Sequence, residues 1–470
     1  MLAQSLAIGP IFSAGFLSGT VAVFAGFNTP LSVLLAAVGT IALAYVLTVF
    51  GRRFAGAGAI YEYLTRGIHP SVGVIGTGAY LIGLLFLGAG GGFVGEGFFV
   101  NSLLSSELSV NLGWGVWALV ALAAVITLNY VGVRIGIRAI VASATLSLVP
   151  FLIVAFTVIA RGGIGGNTLG VFDPGQTSWN AVFHGILFAI SLFIGFETVA
   201  ALGEEAKMPR RSIPRAMITS IVLFAGFYLL VTYAGAIGFG KAGARTTWFA
   251  SGNPFGLLGQ RYVAHSLGWI INLTIVLDLF SVCLAFTLAA SRVLMTLARD
   301  GLLPAPLSRT SRRFHTPIGG LATIAVWALI VTLWAALTHY GAATHTPDVL
   351  QAALILSASG SYLITFVYAL LAAGGLWLVL VVEHRPRQLW WRLPVVLVAL
   401  AVPVLSFDGS LNPFPAYPND LGVYFAAASL LIAMVWFATL RVWRPGLVGA
   451  AAAYAEDEEG FAPVVANLAD

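Results

Sequence analysis

The stretch "FIGFETVAALGEEAKMPRRSIPRA", Phe193 to Ala216, begins in apolar sequence and ends in a burst of charge. Glu197 stands two residues after Gly195 inside what otherwise reads as a membrane span, and no cation follows until Lys207. A glycine and an ionisable side chain at that depth predict an interrupted helix. Backbone groups freed inside a bilayer cost several kcal/mol unless they face protein, water or a ligand. The first span has the same character. In "LAQSLAIGPIFSAGFLSGTVAVFAG", Leu2 to Gly26, the pair Gly9-Pro10 falls in the middle, with Ser13, Gly15, Ser18 and Gly19 beyond. Proline removes a backbone donor and clashes with the carbonyl four residues earlier, so this helix is also predicted to kink or unwind. Two breaks five spans apart are what an inverted repeat of five plus five helices produces.

The rest of the chain fits that frame. Of 470 residues, 59% are hydrophobic and only 9% charged. That balance excludes a water-soluble globular domain and marks an integral membrane protein. The apolar runs are about twenty residues long, enough to span a hydrocarbon core of roughly 30 Å as helices, and they lack the alternation of outer-membrane strands. Spans are expected at roughly 2–25, 31–51, 72–103, 113–131, 139–160, 180–202, 216–238, 267–293, 317–337, 350–381, 394–407 and 421–442. The domain organisation that follows is one transmembrane domain over 1–443, with repeat one at 1–160, repeat two at 180–381 and peripheral helices over 394–442. The first run starts without a basic region before it and reads as a retained helix rather than a cleavable signal.

With the first end placed in the cytoplasm, 19 of the 23 lysines and arginines fall in cytoplasmic loops, leaving Arg161, Lys241, Arg245 and Arg261 outside. Positive residues are retained on the cytoplasmic side, so both termini are expected there. These arginines sit in short loops beside spans, where they fix orientation and touch anionic lipid; nucleic acid is not an expected partner. The end of the chain, 444–470, carries Glu456, Asp457, Glu458 and Glu459 in a row without amphipathic period and reads as a disordered acidic tail.

Of 18 acidic residues, only Glu96, Glu197 and Asp278 fall within spans away from their ends. A carboxylate at mid-bilayer costs at least roughly 2.5–3.5 kcal/mol on insertion scales, so such residues face a cavity or hold a proton. Glu197, directly after the break, is the leading candidate for a proton-coupling or gating acid; the plainer reading is a brace for the unwound backbone. Asp278 lies near the middle of the eighth span with Ser281 one turn on along the same face. It suits a proton relay, a sodium ion held with Ser281 and first-helix carbonyls, or a bond to a neighbouring helix. Glu96, in "GAGGGFVGEGFFVN", reads as an interfacial residue toward the outer end of the third span, and the glycines around it as close helix packing.

The seven histidines form no pair at i and i+4, and the single cysteine, Cys283, supports neither a disulfide nor a multi-cysteine metal centre. No metal, cofactor or catalytic constellation is expected. An amino acid needs both partners that a broken helix offers: amide hydrogens at a positive dipole end for its carboxylate, and unwound carbonyls for its ammonium.

Four segments carry a resemblance beyond this physics. "FIGFETVAALGEEAKMPRRSIPRA" resembles the sixth-helix signature of the amino acid, polyamine and organocation (APC) permeases, and "SRVLMTLARDGLLPAPLSRTSRRFHTP", Ser291 to Pro317, the loop after their eighth helix. "AGAGAIYEYLTRGIHPSVG", Ala55 to Gly73, is similar to the re-entrant loop after their second helix, and "SLAIGPIFSAG" to their first helix. The resemblance runs over nearly all of residues 1–443. It implies an all-α integral membrane fold of about twelve helices, a LeuT-like five-plus-five inverted repeat with helices 1 and 6 broken around a central site. It also implies secondary transport of amino acids or related amines, commonly uptake driven by protons, across the plasma membrane. Carried over by position, the substrate's carboxylate would meet Ile8, Gly9, Ser13 and Ala14, and its ammonium Phe193, Ile194, Gly195 and Phe196, with Glu197, Asp278 and Ser281 in coupling or gating. Some members use a lysine in the fifth helix as proton carrier, where this sequence has Ser147.

The expectation is therefore an amino acid permease working by alternating access around a small, largely uncharged pocket, with a proton or sodium ion as the coupling partner. A carrier or exchanger for polyamines or cationic amino acids is the alternative, with Asp278 or Glu96 meeting the cation. A channel would need a continuous polar stripe, and a membrane enzyme a catalytic set at one depth; the sequence offers neither.

Overall fold

The computed structural model describes residues 8–53, 60–205, 208–250, 253–340, 346–382 and 386–443. The acidic tail lies outside them. The regular elements among the described residues are helices, with one isolated bridge between Thr310 and Pro317 in the loop after the eighth span.

The long helices are α1 (10–25), α2 (Thr29–Arg53), α3 (Pro70–Leu108), α4 (Trp114–Val131), α5 (Val133–Ala160), α6 (Trp179–Ser191, continuing after a break as a 3₁₀ turn over Phe196–Glu205), α7 (Pro209–Gly243), α8 (Leu267–Arg299), α9 (Ile318–Leu337), α10 (Asp348–Trp377), α11 (Pro386–Leu411) and α12 (Asp420–Trp443). Ten runs among the described residues are long and apolar enough to cross a membrane, against about twelve expected. The difference has two sources. The first run, Pro10–Arg52, holds both α1 and α2, which part at Gly26 with φ 58°. In α5 the stretch Thr145–Ala160 is apolar but shorter than those ten runs.

The packing repeats with a step of five. Helix α1 packs on α6 and α2 on α7; α3 packs on α10, and its counterpart α8 packs on α5; α3 also packs on α4, as α8 does on α9. This is the pairing that two five-helix halves wrapped around one axis produce. Because lipid is as apolar as leucine, helix contact in a bilayer depends on close approach and on polar bonds between helices. Both are present. In α3 a Cβ added at Gly88 would strike Phe286 of α8, one at Gly92 the Cys283 sulfur, and one at Gly91 Ser357 of α10. The α3 helix also loosens into a π-turn over Leu87–Gly92, and the Leu85 carbonyl accepts from the indole of Trp327 on α9 at 3.0 Å. Asn129 of α4 donates to the Leu284 carbonyl of α8 at 3.3 Å.

Asn28, between α1 and α2, donates to the carbonyls of Val171 and Asp173 at 3.0 and 2.8 Å and accepts from the Thr177 hydroxyl at 2.6 Å. These bonds strap the 169–177 segment to the turn between α1 and α2. Asp173 itself is held below the usual carboxylate range by hydrogen bonds from the Gln176 side chain and the Gly175 amide. The segment after α2 is a short helix, Ile60–Gly67, with Tyr61, Tyr63 and Leu64 buried against the bundle.

Candidate functional site

Both expected breaks are present. In α1, Ile8 precedes Gly9, whose backbone is left-handed at φ 61° and ψ 64°, and the helical run starts at Pro10. A Cβ at Gly9 would strike Val282 of α8, so glycine is required there twice over, by conformation and by contact. A helix start leaves its first N–H groups without intrahelical partners. Here Pro10 has none to offer, and those of Ile11 and Phe12 both donate to Asp278 Oδ2, at 2.9 and 2.8 Å. Asp278 thus caps α1 from a helix 267 residues away in sequence, with a carboxyl oxygen at the positive end of the run. The Ser13 hydroxyl donates back to the Ile8 carbonyl at 3.1 Å, and the run relaxes into a π-turn over Ser13–Leu17 that contains Ala14.

In α6 the regular helix ends at Ser191, and the chain tightens: the amides of Phe193 and Ile194 donate three residues back, to Ile190 and Ser191. Gly195 follows at φ 113°, which a side chain would strain. Its carbonyl accepts from the Thr198 hydroxyl at 2.7 Å, and its amide donates to Glu197 Oε2 at 3.0 Å. Glu197 is completely buried. Oε2 also accepts from the Tyr368 hydroxyl of α10 at 2.6 Å, and Oε1 accepts from Tyr80 of α3 at 3.4 Å. One carboxylate therefore ties three helices together at the break.

The two breaks connect through α7 and α8. The Phe193 ring meets Tyr228 of α7 edge-on, centroids 5.1 Å apart, and the Tyr228 hydroxyl lies beside Ser13. Phe196 packs on Tyr368, while α8 touches both the start of α1 and the 3₁₀ turn of α6. Ile8, Gly9, Ser13, Ala14, Phe193, Ile194, Gly195, Phe196 and Glu197 are all buried, so the centre is closed. Two cavities, of about 650 and 560 Å³, lie elsewhere, one lined by Asn253, Gln260 and Asn272 and the other by Arg52, Arg210, Arg211 and Arg215.

One expectation needs correction. Glu96 is not interfacial: it is buried, and the glycine face of α3 lays it against α8, within Coulombic reach of Asp278. Ser281 sits on α8 as expected, and its hydroxyl donates to the Leu277 carbonyl at 2.9 Å. Sequence reasoning missed Tyr80, Tyr228 and Tyr368. Each is a phenol in an apolar span, which signals an unseen partner, but nothing in the local sequence says which. Among the described residues no group of three or more His, Cys, Asp or Glu is placed to hold a metal ion.

Known proteins agree with this architecture. A manganese transporter of Eremococcus coleocola superposes with a TM-score of 0.56 over 96% of this chain and 95% of its own, at 13% identity, which is a likeness of fold alone. A protein named cationic amino acid transporter 3, mitochondrial, from Arabidopsis thaliana is 30% identical over 70% of this chain, which spans 56% of that relative's length. The branched-chain amino acid permease BcaP of Lactococcus lactis is 27% identical over 70% of this chain and 73% of its own. The profile of the family described as amino acid permease matches residues 3–438, and the chain belongs to that family.

Proposed function

We propose that this permease is a secondary active transporter that takes up amino acids across the plasma membrane by alternating access, coupled to protons, with both termini in the cytoplasm. The observation that carries this reading is the pair of interrupted helices, α1 at Gly9 and α6 at Gly195, with a buried carboxyl group hydrogen-bonded at each break. Unwound backbone at membrane depth is tolerated where it serves a binding site, and rocking one half against the other opens such a site to each side in turn. The relatives named as amino acid permeases and cationic amino acid transporters support the substrate type. Substrate would sit among Ile8, Gly9, Ser13, Ala14, Phe193, Ile194, Gly195 and Phe196. Glu197 would be the coupling or gating acid, with Asp278 and Ser281 beside the break of α1.

The test is uptake into proteoliposomes with an amino acid panel under an imposed pH gradient. Accumulation abolished by a proton ionophore and unchanged by sodium removal supports the proposal. Accumulation that survives the ionophore but needs sodium sinks the proton; no uptake of any amino acid sinks the reading as a whole.

A further inference from the structure

Arginines from two helices, one in each half of the bundle, converge on a single cavity of about 560 Å³. Arg52 comes from the end of α2, and Arg210, Arg211 and Arg215 come from the first two turns of α7. All four are exposed, and no acid is among the described residues that line the cavity. Its volume lies in the range of small-molecule sites.

For the chain taken alone this arrangement is unfavourable. A helix N-terminus carries the positive end of the dipole and favours anions. The first turn of α7 holds Arg210 and Arg211 and no acid, and its N-cap, Met208, makes no side-chain cap bond. Arg211 and Arg215 stand four positions apart on one face, the spacing at which like charges repel. Arg52 adds a further positive charge from α2. Fixing orientation does not require such convergence: Arg309 and Arg312, in the loop after α8, are also exposed and do not line this cavity.

The surface beyond the cavity identifies the anion. Thr219 lines the cavity and heads a row of exposed residues on α7, with Val222, Leu223 and Gly226 at steps of three, four and seven. On a membrane span that row faces lipid. A soluble anion makes no use of it. A phospholipid places its phosphate among guanidinium groups, which grip phosphate through paired N–H donors, and lays its acyl chains along the row.

We propose that the junction of α2 and α7 is a binding site for an anionic phospholipid, whose headgroup the four arginines receive and whose chains lie along α7. The bound lipid ties the two halves together at that end of the bundle. The site is independent of which substrate or coupling ion the centre takes.

The experiment uses the full-length protein, delipidated in detergent, with binding followed by native mass spectrometry and by the thermal midpoint. The probes are phosphatidylglycerol, phosphatidylcholine of the same chains and glycerol 1-phosphate. Phosphatidylcholine cancels the phosphate charge with its own cation; glycerol phosphate has the headgroup without chains. The expected result is one retained phosphatidylglycerol that raises the midpoint, with the other two at least tenfold weaker. Arg52→Gln combined with Arg215→Gln should weaken phosphatidylglycerol about tenfold or more, the scale of one lost charged hydrogen bond. Arg309→Gln combined with Arg312→Gln should leave it within about threefold. Equal effects of the two pairs, or phosphatidylcholine binding as tightly as phosphatidylglycerol, overturns the site. Glycerol phosphate binding as tightly as the lipid assigns the cavity to a soluble phosphate and overturns the proposal. The wild-type panel decides the matter even if a variant fails to fold.

Discussion

Tyr368 donates its phenol hydrogen to Glu197 Oε2 at 2.6 Å, and the same oxygen accepts from the Gly195 amide at 3.0 Å. The acid at the break of α6 is thereby fixed by the second half of the bundle, while Tyr80 of α3 reaches its other oxygen from the first. A group so placed can report protonation to both halves at once. Removing its charge without removing its shape separates that role from bracing. In Glu197→Gln the amide can still accept from a phenol, so the fold is expected to persist, and accumulation should lose its pH dependence while exchange of substrate across the membrane continues. Accumulation with the wild-type pH profile would make Glu197 a brace.

Tyr368→Phe tests the bracing itself. The ring and its contact with Phe196 stay, and only the hydroxyl bonded to a buried carboxyl group is lost. A hydrogen bond to a charged group contributes about 1.5–3 kcal/mol, so the unfolding midpoint in detergent should fall by several degrees. An unchanged midpoint would mean that the network does not hold the break.

At the other break the steric demand is specific. Gly9→Ala places a Cβ against Val282 and forces a side chain into left-handed backbone. The two costs are separable. Conformational strain is about 1–2 kcal/mol, and overpacking typically adds about 1–3 kcal/mol. Gly9→Ala combined with Val282→Ala should recover the second part and not the first, which a comparison of thermal midpoints for the three variants reads directly. Full recovery in the double variant would show that the backbone is not constrained there.

How much of this was legible in the sequence depends on the range of the interaction. Gly9-Pro10 announces its break locally, because proline lacks the donor that a continuous helix needs, and Gly195 beside Glu197 announces the other by polarity at depth. Span positions followed from length and apolarity. The partner of the α1 amides did not, since Asp278 reaches them only when α8 packs on α1, and no local pattern encodes a contact across 267 residues. Glu96 was misplaced for a related reason. The glycines of α3 pack it closely on α8, a contact that span length does not encode, and Glu96 is buried in the bundle.

The strap at the turn between α1 and α2 should respond to mutation and to acid. Asn28→Ala removes two donors and one acceptor that tie 169–177 down, and faster limited proteolysis in that segment is the expected readout. Asp173 adds a pH dependence whose sign is fixed. Its folded-state affinity for protons is lowered by the bonds from Gln176 and Gly175, so its contribution is present above the unfolded carboxylate pKa of about 3.9 and is lost as pH falls through the lower folded value. Cleavage of the wild-type loop by an acid-active protease should therefore be flat from pH 6 to pH 5 and rise only below about pH 4. A rise already at pH 5 would assign the strap to another group.

Orientation is the remaining prediction, and the composition of the chain makes it tractable. Cys283 is the only cysteine, and it is buried against the glycine face of α3, so the native protein should be silent to a membrane-impermeant maleimide. Arg161, after α5, and Arg312, after α8, are both exposed and lie in loops assigned to opposite sides by the charge asymmetry. In intact cells Arg161→Cys should be labelled and Arg312→Cys should not, until the membrane is permeabilised. The reverse pattern would invert the topology, placing the arginine-lined cavity of Arg52, Arg210, Arg211 and Arg215 on the outer face, where no anionic leaflet of cytoplasmic type meets it.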